Sequence, residues 1–289
     1  MKVVKSTNEL LAWRNQVKKN RVVGFVPTMG ALHAGHLSLV KSSIENSDIT
    51  IVSIFVNPKQ FSANEDFDTY PRNLEKDLDS LGGVGVDVVF IPKHEDIYNK
   101  NIQEFSFEHP LAKILEGRAR PHFFPGVINV VSRLFNIVNP NVAYFGKKDA
   151  QQLLLIEKMV QLGGYPIKVV RGETVREPNG LAMSSRNQYL SASAKERAAC
   201  LNLSLVTAEN MLDGGETRVE KIKKEMFEVI NKDESISIGY VSILCLNTLV
   251  EVNNRVNGPI LISVAAVLGG VRLIDNIFYD SISKPMSTL

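Results

Sequence analysis

The sequence predicts an α/β protein in which a doubly wound parallel sheet is followed by a smaller C-terminal α+β domain. First, short apolar runs without a polar face alternate with amphipathic segments up to residue 170. Parallel strands covered by helices on both faces have this pattern. Second, two long helical patterns and then three β-type segments follow residue 175, an order typical of an α+β domain. Because crossovers between parallel strands are right-handed, we expect the first part to be Rossmann-like.

The first predicted unit has the order strand, loop, helix, strand. Residues 22–26 form a short apolar run that ends at a proline, and a glycine-containing loop follows. Leu37, Val40 and Ile44 then recur at helical spacing, and residues 49–56 form a second apolar run. Together these segments have the length of a βαβ unit.

The alternation continues through the N-terminal part and changes after it. Helical and strand-like patterns alternate over 70–81, 86–91, 127–138, 142–145, 150–162 and 167–170. The C-terminal part has helical patterns over 191–213 and 216–231, then β-type segments over 239–246, 258–267 and 271–278. We therefore expect two domains, 1–174 and 175–289.

The composition indicates a globular protein without nucleic-acid or membrane partners. Hydrophobic residues make up 44% and charged residues 22% of the chain, which are ordinary proportions for a packed core. The net charge of +2 is too close to zero to favour a binder of nucleic acid or of membrane surfaces. Cys200 and Cys245 lack metal-ligand spacing, and the apolar runs are too short for a signal peptide or a bilayer span. We expect a soluble cytoplasmic protein.

The most informative segment is the loop between the first strand and the first helix, residues 27–36. His33 and His36 are three residues apart, so they lie on one face of a helical turn. Gly35 between them allows a ligand to approach the backbone. A helix N-terminus offers free N–H groups to an anion, and imidazoles add directed donors. The pattern predicts a phosphate site. Two surface histidines are the alternative, and zinc is a weaker one because no third Cys or His ligand is near.

Two further loops have residues suited to phosphate binding. Gly146 to Asp149 follow a predicted strand and open a helix, where a lysine would face the same crevice. Met183 to Arg186 combine two hydroxyls with a guanidinium, groups typical of triphosphate-binding loops. The alternatives are a capped helix start with exposed lysines and a solvated loop.

A pair of amides follows the second strand. Asn57 and Gln60 are set among apolar residues. Amides of this kind can hydrogen-bond a small polar substrate that is uncharged or hydroxylated. Turn formation and capping are their alternative roles.

These segments together resemble the pantoate–β-alanine ligase family, also called pantothenate synthetases. The motifs PTMGALHxGH, FVNPxQF, YPR, FGxKDxQQ and GLAxSSRN occur in the family's order between residues 22 and 187. The family belongs to a nucleotidyltransferase superfamily that shares its HxGH element with class I aminoacyl-tRNA synthetases. The SSRN loop is similar to the KMSKS loop of those enzymes.

The resemblance implies a role for each matching residue. His36 would have the role of proton donor, and His33 and Lys148 would be further catalytic residues that contact the phosphates. Gln60 and Gln152 would hold pantoate through its hydroxyls, with Asn57 supporting them, and Asp77 matches an acidic position implicated in magnesium binding. ATP would be bound by Met29, Gly30, Ala31, Leu32, His33, Ala34, Gly35, His36, Gly146, Lys147, Lys148, Asp149, Val175, Met183, Ser184, Ser185 and Arg186.

The resemblance also implies the reaction. It is the ATP-dependent condensation of (R)-pantoate with β-alanine through a pantoyl adenylate, giving pantothenate, AMP and pyrophosphate, with Mg²⁺. It further implies a cytoplasmic homodimer, with ATP and pantoate bound by domain 1–174 and domain 175–289 closing over the nucleotide. One alternative is another adenylyltransferase of the superfamily, which would need basic residues for a substrate phosphate where Asn57 and Gln60 are neutral. An RNA-binding module would need a basic face.

The sequence departs from the family pattern at two places. The family commonly reads RPGHFxGV, whereas this chain has His122-Phe123-Phe124 after Arg120-Pro121, so the histidine is displaced by one position. Any role of that histidine is therefore open. Lys147 stands where the family often has an acidic or amide residue, which adds positive charge beside Lys148.

Overall fold

The computed structural model describes residues 1–63, 65–102 and 105–280. The chain divides into two compact units, Met1–Val175 and Arg176–Leu289. In the described residues, no helix has the length and apolar character that crossing a membrane requires. The predicted division of ligand binding between the two domains stays a prediction.

The first unit contains a sheet of six parallel strands with the order β1-β4-β3-β2-β5-β6. The strands are β1 Lys2–Val4, β2 Val23–Thr28, β3 Ile49–Ile54, β4 Val88–Phe90, β5 Val142–Gly146 and β6 Lys168–Gly172. Its helices are α1 Thr7–Arg14, α2 Ala34–Asn46, α3 Leu74–Val84, α4 His94–Ile97, α5 Glu116–Ala119, α6 Phe123–Val138 and α7 Ala150–Leu162. The five strands predicted in this part are confirmed, whereas β1 and α1 were not predicted.

Strand order determines where the functional loops meet. β2 lies between β3 and β5: the connection after β2 runs to one side of it, and the later connection from β4 to β5 crosses to the other side. Such a switch point forms a crevice outside the carboxyl ends of the strands. The loops after β2, β3 and β5 are the ones with the histidines, the amides and the lysines. The fold therefore brings three of the predicted segments to one edge of the sheet.

The helix bounds differ from the predicted bounds for local reasons. α3 begins at Leu74 and not at residue 70, because the Asn73 side chain caps it by accepting from the Lys76 N–H at 3.1 Å. It ends where Gly85 adopts a left-handed φ of 89°. α6 begins four residues earlier than predicted, at Phe123, and most of its side chains are buried.

The second unit contains a three-stranded antiparallel sheet, β7 Ile236–Cys245, β8 Ile260–Leu268 and β9 Val271–Tyr279, in that order. Helices α8 Ala192–Ala198, α9 Cys200–Asp213 and α10 Val219–Ile230 precede it. Apolar side chains from the helices and from all three strands form one core. The predicted helix over 191–213 is broken at Ala199, which ends α8 and precedes α9. The predicted α+β arrangement is confirmed.

We expect Gly126→Ala to destabilise the first unit. A β-carbon on Gly126, in α6, would lie 2.4 Å from the Lys59 carbonyl oxygen and 2.8 Å from the Gln60 Cα. Both are backbone atoms, so helix and loop would have to separate, at a cost of about 2–3 kcal/mol. Urea unfolding monitored by circular dichroism measures the change.

The matched control is Gly83→Ala in α3, where the added β-carbon meets nothing within 4 Å. That change should stabilise the protein by up to about 1 kcal/mol through helix propensity. If the two variants had equal stability, the close approach at Gly126 would have no energetic consequence.

Candidate active site

The loop after β2 has an unusual backbone that a buried carboxylate holds. Gly30 and Ala31 adopt left-handed φ angles of 82° and 50°. The Asp77 carboxylate, from the first turn of α3, accepts hydrogen bonds from the Ala31 N–H at 2.9 Å and the Leu32 N–H at 2.8 Å. Hydrogen bonds from N–H groups to an ionised carboxylate are stronger than neutral ones. Asp77 therefore anchors the loop, a role that sequence reasoning missed.

The position of Asp77 gives it a structural role, and its predicted magnesium binding stays a prediction. Mg²⁺ keeps several of its waters and binds carboxylates that water can reach. The Asp77 residue is only 3% exposed, and each of its carboxylate oxygens already accepts a backbone N–H. Within residues 1–63, 65–102 and 105–280, no group of three or more His, Cys, Asp or Glu residues could hold a metal ion. The geometry supports a structural role for Asp77.

The two histidines form a reciprocal cap at the start of α2. His33 is the N-cap residue, and its Nδ1 accepts from the Gly35 N–H at 3.1 Å. His36 Nδ1 accepts from the His33 N–H at 3.4 Å, and the ring centroids are 4.1 Å apart. A backbone N–H can only donate, so a neutral imidazole at either position has its proton on Nε2. Each ring therefore has one N–H to donate, and it is on the side away from the backbone.

Both imidazoles are neutral at physiological pH. Burial, with a smaller contribution from the Lys148 ammonium, lowers the pKa of His33 to about 4. Burial also lowers the pKa of His36 to about 3, with a second contribution from His33. Desolvation disfavours the charged imidazolium, and neighbouring positive charge acts in the same direction. The pair is thus a neutral double donor.

Four further predicted residues of the first unit adjoin or act on this pair. A β-carbon built on Gly35 would be 2.9 Å from the His33 ring and 3.9 Å from the Val175 β-carbon, so Val175 adjoins the loop. Ala34, the first residue of α2, is exposed beside them. Lys148 and Asp149 act electrostatically on both histidines.

The two neighbouring lysines have different partners. Lys148 Nζ lies 3.3 Å from an Asp149 carboxylate oxygen. Lys147 Nζ forms an ion pair with Glu173, just beyond β6. Lys147, the departure from the family pattern, therefore has its charge offset by a carboxylate outside the motif. Of the two, Lys148 is the lysine that influences the histidines.

The amide pair lies against the loop after β2. Gln60 Nε2 is 3.0 Å from Met29 Sδ, and Gln60 is buried. The Asn57 side chain is 1% exposed and donates to Gln60 Oε1 at 3.2 Å. Neighbouring loops thus place the predicted acid-binding amides next to the predicted ATP-binding residues.

The two consecutive glutamines of α7 have separate roles. Gln151 Nε2 donates to the carbonyl oxygens of Leu111 and Ile114 at 2.6 and 2.8 Å, and its Oε1 accepts from the Glu116 N–H. These bonds tie α7 to the segment before α5. Gln152, the predicted pantoate-binding residue, is half-buried in the first turn of α7 at the carboxyl end of β5.

The displaced histidine is exposed, and an arginine occupies the interior of its loop. His122 precedes α6 without a side-chain capping bond. Phe123 packs under Arg120, whose Cζ is 4.0 Å from the ring centroid. The Arg120 guanidinium also donates two hydrogen bonds to the Glu65 carboxylate, at 2.8 and 2.7 Å. The loop is therefore held by Arg120.

In the second unit, an ion pair supports the predicted phosphate loop. Arg176 donates to both carboxylate oxygens of buried Asp275, at 2.6 and 3.0 Å, and to the Gly180 carbonyl. Arg176 also forms a β-bridge with Ala182, so residues 176–182 form a tight reversal. The Ser184 hydroxyl accepts from the Arg186 N–H at 3.3 Å and caps a short 3-10 helix. Met183, Ser184 and Arg186 are partly buried, and Ser185 is buried.

Comparisons with known proteins agree with the resemblance. The sequence profile of the pantoate–β-alanine ligase family matches residues 2–278. Pantothenate synthetase of Pseudothermotoga lettingae is 47% identical over 276 residues, which cover 96% of this chain and 98% of that protein. The chain belongs to the pantoate–β-alanine ligase family.

Solved structures of the family have the same fold. Pantothenate synthetase from Thermus thermophilus has a TM-score of 0.89 and 39% identity, covering 96% of this chain and 99% of that one. The pantoate–β-alanine ligase from Francisella tularensis, crystallised with β-γ ATP and β-alanine, has a TM-score of 0.76 and 34% identity, covering 96% and 97%. The predicted family and fold class are confirmed.

Replacing His36 with glutamine should make stability less sensitive to acid. Because the folded state depresses the pKa of His36, its contribution to stability is full above the unfolded pKa of about 6.5 and is lost as pH falls towards 3. Glutamine still has an acceptor for the His33 N–H but takes up no proton. Between pH 7.5 and 4.5, the variant should lose roughly 1–2 kcal/mol less unfolding free energy than the wild type.

Urea unfolding at the two pH values measures this difference. His122→Gln removes an exposed histidine and should behave like the wild type. His36→Gln could instead lose as much unfolding free energy on acidification as the wild type and His122→Gln do. That result would show that His36 is protonated in the folded state.

Proposed function

We propose that this protein condenses (R)-pantoate with β-alanine in two steps, through a pantoyl adenylate. Family membership over residues 2–278 supports the overall ligase activity. The crystallised relative with β-γ ATP and β-alanine supports ATP and β-alanine as substrates. The observation that carries the stepwise route is the pair of neutral Nε2–H donors at the α2 N-terminus beside Lys148. These groups suit the phosphate oxygens of ATP during transfer of its adenylyl group to the acid.

The first step activates the acid. A pantoate carboxylate oxygen attacks the α-phosphorus of ATP, a C–O–P anhydride forms, and the bond from the α-phosphorus to its bridging oxygen breaks. Pyrophosphate leaves with the electron pair. Donors fixed before the reaction stabilise the charge that shifts to pyrophosphate without reorganising.

In the second step, AMP is the leaving group. The neutral amine of β-alanine attacks the acyl carbon, and AMP leaves with the C–O electron pair while the nitrogen loses a proton to solvent. A free carboxylate does not acylate an amine at neutral pH, whereas an acyl adenylate does. The contribution of the protein is chiefly to hold the two reactants at bonding distance.

His33 and His36 act in this scheme as hydrogen-bond donors to phosphate oxygens. With a pKa near 3, His36 is almost entirely the neutral imidazole at neutral pH. This favours hydrogen bonding over the proton-donor role implied by the resemblance. Lys148 supplies the adjacent positive charge. Met29 to Leu32, Ala34, Gly35, Val175 and Gly146 to Asp149 line the nucleotide. The resemblance assigns further phosphate contacts to Met183, Ser184, Ser185 and Arg186.

Gln60 and Gln152 bind pantoate through its hydroxyl groups. Gln60 is a buried amide whose Nε2 approaches the Met29 sulfur. Its N–H donors therefore lie close to the loop after β2. A buried amide left without its partner is costly, which gives such a pocket its selectivity for hydroxylated acids.

Three further elements of the proposal rest on the resemblance. ATP enters as its magnesium complex, because Mg²⁺ commonly binds substrate phosphates directly. The protein is a homodimer, and it works in the cytoplasm. No step of the chemistry above depends on Asp77 as a metal ligand.

Pyrophosphate exchange tests the adenylate. Because the first step is complete before the amine reacts, exchange of labelled pyrophosphate into ATP should require pantoate but not β-alanine. Omission of pantoate is the control. Exchange that strictly required β-alanine would exclude a free-standing adenylate, and formation of ADP with phosphate would indicate an acyl phosphate.

Lysine variants test which positive charge acts on the phosphates. Lys148→Ala should slow pyrophosphate exchange by at least about a hundredfold, the scale for removing one preorganised charge donor. Lys147→Ala is the matched control, because its ammonium pairs with Glu173. It should cost less than about fivefold. Equal losses in the rate of pyrophosphate exchange would mean that both ammonium groups act.

A further inference from the structure

Tyr98 belongs to none of the sequence motifs, yet it contacts the amide pair directly. It follows α4, and its hydroxyl lies 2.6 Å from Asn57 Oδ1, 41 residues away in sequence. An amide oxygen only accepts, so the tyrosine hydroxyl donates. The hydrogen bond is short and joins two side chains on different elements.

The backbone determines the orientation of the Asn57 amide. Asn57 Oδ1 accepts from the Lys59 N–H at 3.2 Å, and Nδ2 donates to the Gly126 carbonyl oxygen at 3.1 Å. An N–H cannot accept and a carbonyl cannot donate, so the two ends of the amide cannot be exchanged. With Tyr98 on Oδ1 and Gln60 on Nδ2, both donors and two acceptor positions of Asn57 are used. Asn57 therefore connects Tyr98 to Gln60 and does not itself bind the substrate.

The orientation of Asn57 in turn determines that of Gln60. Because Asn57 Nδ2 points at Gln60, the glutamine must present Oε1 to it. Its Nε2 is then on the other side, where it donates to Met29 Sδ and has a second hydrogen available. The face of Gln60 away from Asn57 is consequently an N–H donor.

Tyr98 is itself held from two sides. The Arg133 guanidinium in α6 is only 6% exposed and donates to the carbonyl oxygens of Ile97 and Asn99, on either side of the tyrosine. Its Cζ is 5.3 Å from the Tyr98 ring centroid, and Lys59 Nζ is 4.0 Å from it. Two cations on an aromatic ring are favourable contacts. They keep the hydroxyl directed at Asn57.

We propose that Tyr98 is a positioning residue for the hydroxy acid, which acts through Asn57 to hold the donor face of Gln60 towards the substrate. This inference rests on the proposed function, since it requires that Gln60 bind pantoate. Removing the hydroxyl leaves an acceptor position of a buried amide empty and loosens its orientation.

Tyr98→Phe tests the proposal because it retains the ring contacts and removes only the hydroxyl. We expect kcat/KM for pantoate to fall about tenfold, while KM for ATP changes less than about twofold. Steady-state AMP release with each substrate varied in turn gives both values. Thermal unfolding of each variant checks that the fold is retained.

Tyr144→Phe is the matched control. Tyr144 is a buried tyrosine whose hydroxyl bonds to Ser47 Oγ at 3.2 Å, away from the amides. This variant should leave kcat/KM for pantoate within about twofold of the wild type. A tenfold loss in both tyrosine variants would indicate a general effect of losing a buried hydroxyl and would overturn the proposal.

A double-mutant cycle shows whether Tyr98 acts through Gln60. In a Gln60→Ala background, Tyr98→Phe should cause no further loss beyond about twofold. A full tenfold loss in that background, or equal losses for ATP and pantoate, would overturn the positioning role. If instead Gln60→Ala alone left pantoate use unchanged, or the wild type released no AMP with pantoate, the proposed function itself would fail.

Discussion

The site depends on two hydrogen bonds from a loop backbone to one buried carboxylate. Ala31 adopts a left-handed conformation that costs a residue with a side chain about 1–2 kcal/mol. The Asp77 carboxylate accepts from Ala31 and from Leu32, and hydrogen bonds to charged groups contribute roughly 1.5–3 kcal/mol each. The bonds outweigh the strain. They hold the chain just before His33, the N-cap residue of α2, and so fix the start of the helix where the histidine donors lie.

A second constraint is that backbone groups decide where protons lie in the site. The Gly35 and His33 N–H groups occupy Nδ1 of the two imidazoles, which leaves Nε2–H on each ring as the outward donor. In the same way, a backbone N–H and a backbone carbonyl orient the Asn57 amide. Backbone groups cannot change between donor and acceptor. A surface made of such donors is complementary to anionic phosphates and to substrate hydroxyls before either binds.

The two departures from the family pattern leave this arrangement intact for identifiable reasons. Phe123 fills the position of the usual histidine and packs under Arg120, whose guanidinium pairs with Glu65 and lies 3.4 Å from the Gln60 carbonyl oxygen. The loop thus contacts the amide segment through an arginine. The extra charge of Lys147 is offset by Glu173, so Lys148 keeps a distinct electrostatic effect on the histidines.

Local patterns in the sequence determined the class of fold, the central strands and the histidine, lysine and amide loops, because periodicity and turn residues act over a few positions. They missed β1, whose three residues are too few for a pattern, and the break at Ala199 within a continuous helical pattern. They gave no sign that Asp77 holds the loop after β2, since the N–H groups that it accepts from are 45 and 46 residues away. Tyr98 carried no signal, since its partner Asn57 is 41 residues distant. Strand order decides which distant loops meet, so only the tertiary structure could assign these roles.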